Sequence, residues 1–147
     1  MTALLPLVVV LAAGIALALQ APTNAALART GGSVTLAALV SFLIGISVLL
    51  IAWALADRTP PTALRGAPAW AWLGGLYGAG YVAALAFGAP RLGLATTVTV
   101  VIAGQLATAL VLDHFGLLGL RTAPISVGKT AGALLVLAGV VLVRRSA

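Results

Sequence analysis

Long runs of residues without a charge divide this chain into segments of the length that crosses a lipid bilayer. A helix rises about 1.5 Å per residue, so roughly 20 apolar residues span a hydrocarbon core of about 30 Å. Four such segments carry no charged residue, and the fifth carries only Lys129. The predicted spans are residues 3–28, 33–56, 67–89, 92–112 and 123–143. The sequence therefore predicts an all-α, multi-pass membrane protein in which residues 1–147 form one domain of five transmembrane helices.

The composition argues against a soluble domain and against most enzyme chemistry. Hydrophobic residues make up 63% of the chain and charged residues 7%, whereas soluble domains carry about 25% charged residues. The chain has no cysteine, one histidine and two acidic residues. Catalytic and metal sites need several such groups in one place, so we expect no enzyme activity, no metal and no cofactor. The basic residues form no cluster, which argues against nucleic-acid binding.

The basic residues are shared equally between the two sides of the predicted membrane topology. Cytoplasmic loops normally carry the excess of Lys and Arg, and that excess sets orientation. One side receives Arg58, Arg65, Arg121 and Lys129, and the other receives Arg29, Arg91, Arg144 and Arg145. Without a preferred orientation, the chain is expected to insert both ways and to pair with an inverted copy as an antiparallel homodimer. The alternative is a single orientation, which a different placement of Lys129 would produce.

Two glycine-containing faces are candidate contact surfaces. On the third helix, Gly74, Tyr77, Gly78 and Tyr81 share one face, because they are spaced at i, i+3, i+4 and i+7. We interpret this face as a cavity lining that offers phenol groups to a substrate; the alternative is a tight helix contact with satisfied tyrosines.

The second glycine-containing face lies on the fifth helix. There Gly128, Gly132, Leu135 and Gly139 form a stripe of mostly small residues. Close packing drives helix association in lipid, so this stripe is a candidate dimer interface. Packing within one subunit is the alternative.

Uncharged polar residues inside the spans are candidate substrate contacts, because polar groups are costly in lipid. Gln20 and Asn24 lie one turn apart on the first helix, and Ser41 lies within the second. Gln105 lies near the middle of the fourth helix and is the strongest single candidate. Its amide has two donors and an acceptor, so the alternative is a hydrogen bond to a neighbouring helix. Pro22 predicts a bend or a break in the last turns of the first helix.

Asp113 and His114 end the fourth span as an adjacent titratable pair. A proton-coupled carrier needs a group that changes charge, so this pair is the candidate for proton coupling. The alternative is an interfacial ion pair between Asp113 and Arg121 or Lys129.

Several strings along the chain together resemble one known family. They are Gln20-Ala-Pro-Thr-Asn24, the Gly31-Gly32-Ser33 start of the second span, the Trp- and Gly-containing run at 69–75, and Gly104-Gln105 followed by Asp113-His114-Phe115-Gly116. This pattern resembles the YdcZ family, a five-span branch of the drug/metabolite transporter superfamily. The stretch from Gly128 to Val140 is similar to the last helix of small members of that superfamily.

The resemblance implies a transporter of the bacterial inner membrane, in a family that occurs as dual-topology single genes, as oppositely oriented pairs or as fused forms. Small multidrug resistance proteins, which are relatives, use a membrane-embedded Glu. This chain contains no Glu, so their proton/cation exchange is not carried over to it.

Residues and resemblance together predict a dual-topology small-molecule transporter that works by alternating access as an antiparallel homodimer in membrane lipid. The expected midplane site between subunits is lined by Gln20, Asn24, Tyr77, Tyr81 and Gln105, with Ser41 as a further contact. Because no negative charge lies at mid-depth, the expected substrate is neutral, zwitterionic or anionic. The alternatives are a narrow ion channel and a non-transporting accessory protein.

Overall fold

The computed structural model describes residues 4–145, and these contain five long helices. Their bounds are Leu4–Gly31 (α1), Val34–Ala52 (α2), Gly74–Leu92 (α3), Leu94–Phe115 (α4) and Val127–Arg145 (α5). A π-helical turn, Trp53–Asp57, extends α2, and a 3-10 turn, Ala69–Leu73, leads into α3. With these extensions, all five are long and apolar enough to cross a membrane, which confirms the predicted number of spans.

The chain divides into two compact units, Met1–Phe87 and Gly88–Ala147. The first contains α1, α2 and most of α3, and the second contains the end of α3 with α4 and α5. Residues 1–3 and 146–147, at the ends of the predicted domain, lie outside the described residues. The single five-helix domain stays a prediction.

Small side chains bring α1 and α2 together as an antiparallel hairpin. Ser33 caps α2 by accepting a hydrogen bond from the backbone N–H of Leu36 at 3.1 Å, which satisfies one of the free donors at a helix start. Four of the five buried residues of α1 and α2 are alanines, and small side chains let helix backbones approach closely in lipid. The buried positions are Ala21, Asn24 and Ala25 of α1 and Ala37 and Ala38 of α2.

The first helix is continuous through Pro22. The break that the sequence predicted as one possibility at this residue does not occur. Proline removes one backbone donor, and the turns on either side remain hydrogen-bonded. The hydroxyl of Thr23 donates to the carbonyl of Gln20 at 2.8 Å in the same turn. Hydroxyl groups of this kind satisfy backbone carbonyls near a proline inside a membrane helix.

A single glycine connects α3 to α4. Gly93 has φ 79° and ψ 150°, a backbone conformation that is essentially restricted to glycine. Its carbonyl accepts hydrogen bonds from the backbone N–H of Thr97 at 3.1 Å and from the Thr97 hydroxyl at 2.8 Å. The α4 helix therefore begins directly after Gly93. Position 93 requires glycine because of its backbone conformation.

We predict that Gly93→Ala lowers the free energy of unfolding by about 1–3 kcal/mol, the usual cost of holding a side-chain-bearing residue in such a conformation. No atom lies within 4 Å of the added methyl group, so the loss measures backbone strain rather than a clash. The measurement is denaturant unfolding in detergent followed by circular dichroism. Gly80→Ala, at a helical glycine with equally open surroundings, is the matched control. Equal stability of the two variants would contradict the prediction.

Candidate functional site

A small cavity lies on the α1–α2 hairpin. Its volume is about 180 Å³. One lining residue, Gln20, comes from α1, and the others come from one side of α2, where Gly45 leaves room beside Ser41. The full lining is Gln20, Ser41, Phe42, Gly45, Ile46 and Leu49. Two of the predicted substrate contacts, Gln20 and Ser41, therefore meet at one cavity.

The cavity lies near the middle of both helices. Gln20 precedes the turn at Gly32 and Ser33 by about 12 residues, and Gly45 follows it by as many, which is about 18 Å along each helix. A hydrocarbon core is about 30 Å thick, so this distance from a turn at the membrane surface corresponds to mid-depth. The cavity therefore combines a polar amide and a hydroxyl at the depth where they are most costly in lipid.

The Gln20 amide is not fully satisfied. Its Oε1 atom is buried and has no hydrogen-bond partner in the described structure, a situation that costs about 1–3 kcal/mol. Asn24, one turn further along α1, is buried at 3% exposure between the two helices. Because Oε1 itself is inaccessible, a bound molecule that donates a hydrogen bond would reach it once the Gln20 side chain turns toward the cavity.

On the tyrosine-containing face of α3, some residues are packed and others are exposed. A methyl group built on Gly78 would lie 3.5 Å from Cζ of Phe42, so the ring of this cavity residue reaches α3 at Gly78. Gly74 has no atom within 4 Å of its corresponding position. Tyr81 is half-buried, while Tyr77 is 65% exposed. Neither tyrosine is among the residues that line the α1–α2 cavity, and their contact with a substrate stays a prediction.

Gln105 lines a different and more open cavity, on one side of α4. The side chain is exposed, and Gly104 beside it has no atom within 4 Å of a built methyl group. Gln105 is not among the residues that line the α1–α2 cavity. Its role as a substrate contact stays a prediction.

The glycine stripe of α5 faces open space. Methyl groups built on Gly132 and Gly139 meet no atom within 4 Å, and one on Gly128 meets only Ser126 Oγ at 4.0 Å. The half-buried residues of α5 include Gly139 of the stripe, together with Lys129, Ala133, Val136, Val140 and Val143 on a neighbouring side. The role of the stripe, in a dimer or within one subunit, stays a prediction.

Asp113 and His114 hold the connection between α4 and α5. The Asp113 backbone carbonyl accepts a hydrogen bond from the N–H of Ala123 at 2.7 Å. Nδ1 of His114 accepts one from the N–H of Ile125 at 3.2 Å. A neutral imidazole has one acceptor nitrogen, and here the loop backbone uses it. These residues support the loop, and proton coupling through them stays a prediction.

The alternative for Asp113, an ion pair with Arg121 or Lys129, is absent from residues 4–145. Lys129 instead donates from Nζ to the carbonyl oxygens of Ala123 at 2.9 Å and Pro124 at 3.4 Å. Loop carbonyls next to a membrane helix need donors, because hydrocarbon supplies none. The ammonium group of Lys129 therefore folds back onto the loop instead of pairing with an acid.

A comparison with protein families identifies the chain. The family described as "Putative inner membrane exporter, YdcZ" matches residues 5–142. The chain belongs to the YdcZ family. It is therefore an inner-membrane protein, and exporters are transport proteins rather than enzymes. No curated protein and no solved structure matches this YdcZ chain.

The sequence reasoning missed most of the α2 wall of the YdcZ cavity. Phe42, Ile46 and Leu49 are ordinary apolar residues of a membrane helix, so nothing in their type marks them. The available signal was the spacing of Ser41 and Gly45, four residues apart. That spacing places a small residue directly next to a hydroxyl on one helix face.

We predict that Lys129→Met opens the α4–α5 loop of this YdcZ protein. Charge-assisted hydrogen bonds contribute about 1.5–3 kcal/mol, so hydrogen exchange at the amides of Ala123 and Ile125 should become about tenfold faster or more. The measurement is hydrogen–deuterium exchange of the protein in nanodiscs.

Arg121→Met is the matched control for this loop prediction. It removes an exposed basic side chain from the same loop, and no side-chain hydrogen bond of Arg121 exists within residues 4–145. If both variants exchange at the rate of the unchanged protein, Lys129 does not hold the loop.

Proposed function

We propose that this chain exports a small molecule across the inner membrane by alternating access as an antiparallel homodimer, and that the α1–α2 cavity forms part of its substrate site. The observation that carries the proposal is the unpaired Gln20 acceptor at a mid-depth cavity. A protein that served only as a structural element would gain stability from an apolar residue there. Family membership in the exporters supports the same function.

The chemistry of the cavity favours a substrate class. The cavity offers an amide, a hydroxyl, an aromatic ring and aliphatic side chains, and none of its lining residues is charged. Such a lining suits a small molecule with an apolar body and a hydrogen-bonding group that is neutral, zwitterionic or anionic. A lipophilic cation would require a negative charge at this depth to replace its lost hydration.

The size of the cavity supports a site shared between two copies. Pockets for small ligands usually measure about 300–1,000 Å³, and the α1–α2 cavity measures about 180 Å³. One hairpin therefore offers less room than a typical ligand site. Two inverted copies would each contribute a cavity, and the exchange of their conformations would open the site to each side in turn.

The charge distribution supports the antiparallel arrangement. The Lys129 ammonium contacts carbonyls of the α4–α5 loop, so its charge belongs with that of Arg121 on the same side. With Lys129 counted on that side, each side of the membrane has four basic residues. Neither orientation is then favoured by the distribution of Lys and Arg.

We predict that Gln20→Met stabilises the ligand-free protein by about 1 kcal/mol, because it removes an unpaired buried oxygen, and that it weakens substrate binding at least tenfold. The measurement is a thermal-shift screen of the purified protein against neutral, zwitterionic and anionic metabolites and toxic compounds. Specific binding raises the stability in proportion to the excess of ligand over Kd. Compounds that stabilise the unchanged protein are then tested on the variant.

Thr96→Val is the matched control for this substitution. Thr96 is 5% exposed, and its Oγ1 also lacks a partner, so the variant should gain similar stability while every binding shift is retained. If Gln20→Met binds the compounds as tightly as the unchanged protein does, the α1–α2 cavity is not part of the substrate site.

We also predict that three added Arg residues at one end of the chain lock its orientation and abolish export by that chain alone. Co-expression of two oppositely locked chains should restore export, because an antiparallel pair forms again. The measurements are protease accessibility of a terminal tag and efflux of a compound identified in the screen. Three added Gln residues are the control. Export by either locked chain alone would contradict the antiparallel homodimer, and single-channel currents in a planar bilayer would indicate a pore instead of a carrier.

A further inference from the structure

Gln105 presents a primary amide at the middle of a membrane span. The α4 helix has 22 residues, Leu94–Phe115, and Gln105 lies about 16 Å from either end. The side chain is exposed and makes no hydrogen bond within residues 4–145. Hydrocarbon cannot satisfy an amide, and each unsatisfied group there costs several kcal/mol. The exposed Gln105 amide therefore needs a hydrogen-bonding partner.

The surface around Gln105 has the shape of a helix-docking site. It is an open cavity of about 470 Å³ on one side of α4. Small residues beside the amide let another backbone approach closely. The surface, here called the Gln105 face, consists of Val101, Gly104, Gln105, Thr108, Ala109 and Leu112. Gly104, Gln105, Thr108 and Ala109 of this face are exposed, whereas Val101 and Leu112 are half-buried. The half-buried residues Ala103, Leu106 and Leu110 lie on another side of α4.

We propose that the Gln105 face docks onto the Gln105 face of a second, inverted copy, so that the two Gln105 amides hydrogen-bond to each other. A primary amide carries both donors and an acceptor, so it is complementary to itself. A two-fold contact pairs the same surface of both copies. When the axis lies in the membrane plane, only a residue at mid-depth meets its own copy, and Gln105 has that position in α4.

This inference rests on the homodimer of the proposed function but not on the α1–α2 cavity or on transport. The glycine stripe of α5 is also open, but it presents no polar side chain that a partner must satisfy. Because the Gln105 amide needs a partner, we place the contact on α4 and not on α5.

Cysteine cross-linking in membranes tests the contact, and the chain has no native cysteine to remove. A disulfide requires Cα atoms about 4.4–6.8 Å apart. Residues 101 and 109 lie equally far from Gln105 on opposite sides, so they meet in an inverted pair. A Val101→Cys chain co-expressed with a differently tagged Ala109→Cys chain should form the mixed cross-link. Each variant alone should not, because its two cysteines would be about 12 Å apart along the helices.

Two further variants control this test. Ala107→Cys lies two residues from Gln105, about 200° around α4, and should not cross-link. Gln105→Leu, in an otherwise unchanged chain, should weaken dimerisation measured by energy transfer in liposomes about 3- to 30-fold, the range for hydrogen bonds between membrane helices. Ala107→Leu should leave dimerisation unchanged.

The outcomes separate this inference from the proposed function. If the mixed pair does not cross-link while oppositely locked chains still restore export, the proposed function stands and the α4 contact is overturned. If Val101→Cys and Ala109→Cys each cross-link alone, the copies are parallel, and both the inverted contact and the antiparallel homodimer are overturned. Unchanged dimerisation of Gln105→Leu would overturn the paired amides.

Discussion

Hydrocarbon offers no hydrogen bonds, and this constraint explains most of the structure outside the helix interiors. At three points outside the helix interiors, a nearby group supplies a hydrogen bond: the Ser33 hydroxyl at the start of α2, the Gly93 carbonyl at the start of α4, and the Lys129 ammonium on the loop before α5. Connections that satisfy themselves locally can be short. Gly93 alone joins α3 to α4, at the cost of a conformation that other residues avoid.

Two amides without hydrogen-bond partners carry our proposals. The Oε1 of Gln20 is buried at the α1–α2 cavity, and the Gln105 amide is exposed at the middle of α4. Each situation is unfavourable in an isolated chain, but each becomes favourable when a substrate or a second copy supplies the missing hydrogen bond. The two amides therefore have different roles in our proposal: Gln20 contacts substrate and Gln105 contacts the partner.

The five spans and the family were predictable because each follows from a property that is read along the chain. Span number depends on runs of uncharged residues, and packing does not change it. The finer predictions depended on neighbours. Pro22 was expected to bend or break α1, but the helix runs through it unbroken. An ion pair of Asp113 with Arg121 or Lys129 was the alternative to proton coupling, but Lys129 contacts loop carbonyls instead. Gln20 and Ser41 were both predicted as substrate contacts, while the α1–α2 cavity that they line follows from the packing of the two helices.

The sequence alone determined that this chain lies in a membrane, how many times it can cross and to which family it belongs, because hydropathy and motif are properties of individual residues and their order. Only the tertiary structure decided which polar residues meet. Gln20 and Ser41 share a cavity because the tight turn at Gly32 and Ser33 folds α1 against α2, and Gln105 lines an open side of α4. Proximity between residues distant in sequence depends on how helices pack, and hydropathy carries no information about that packing.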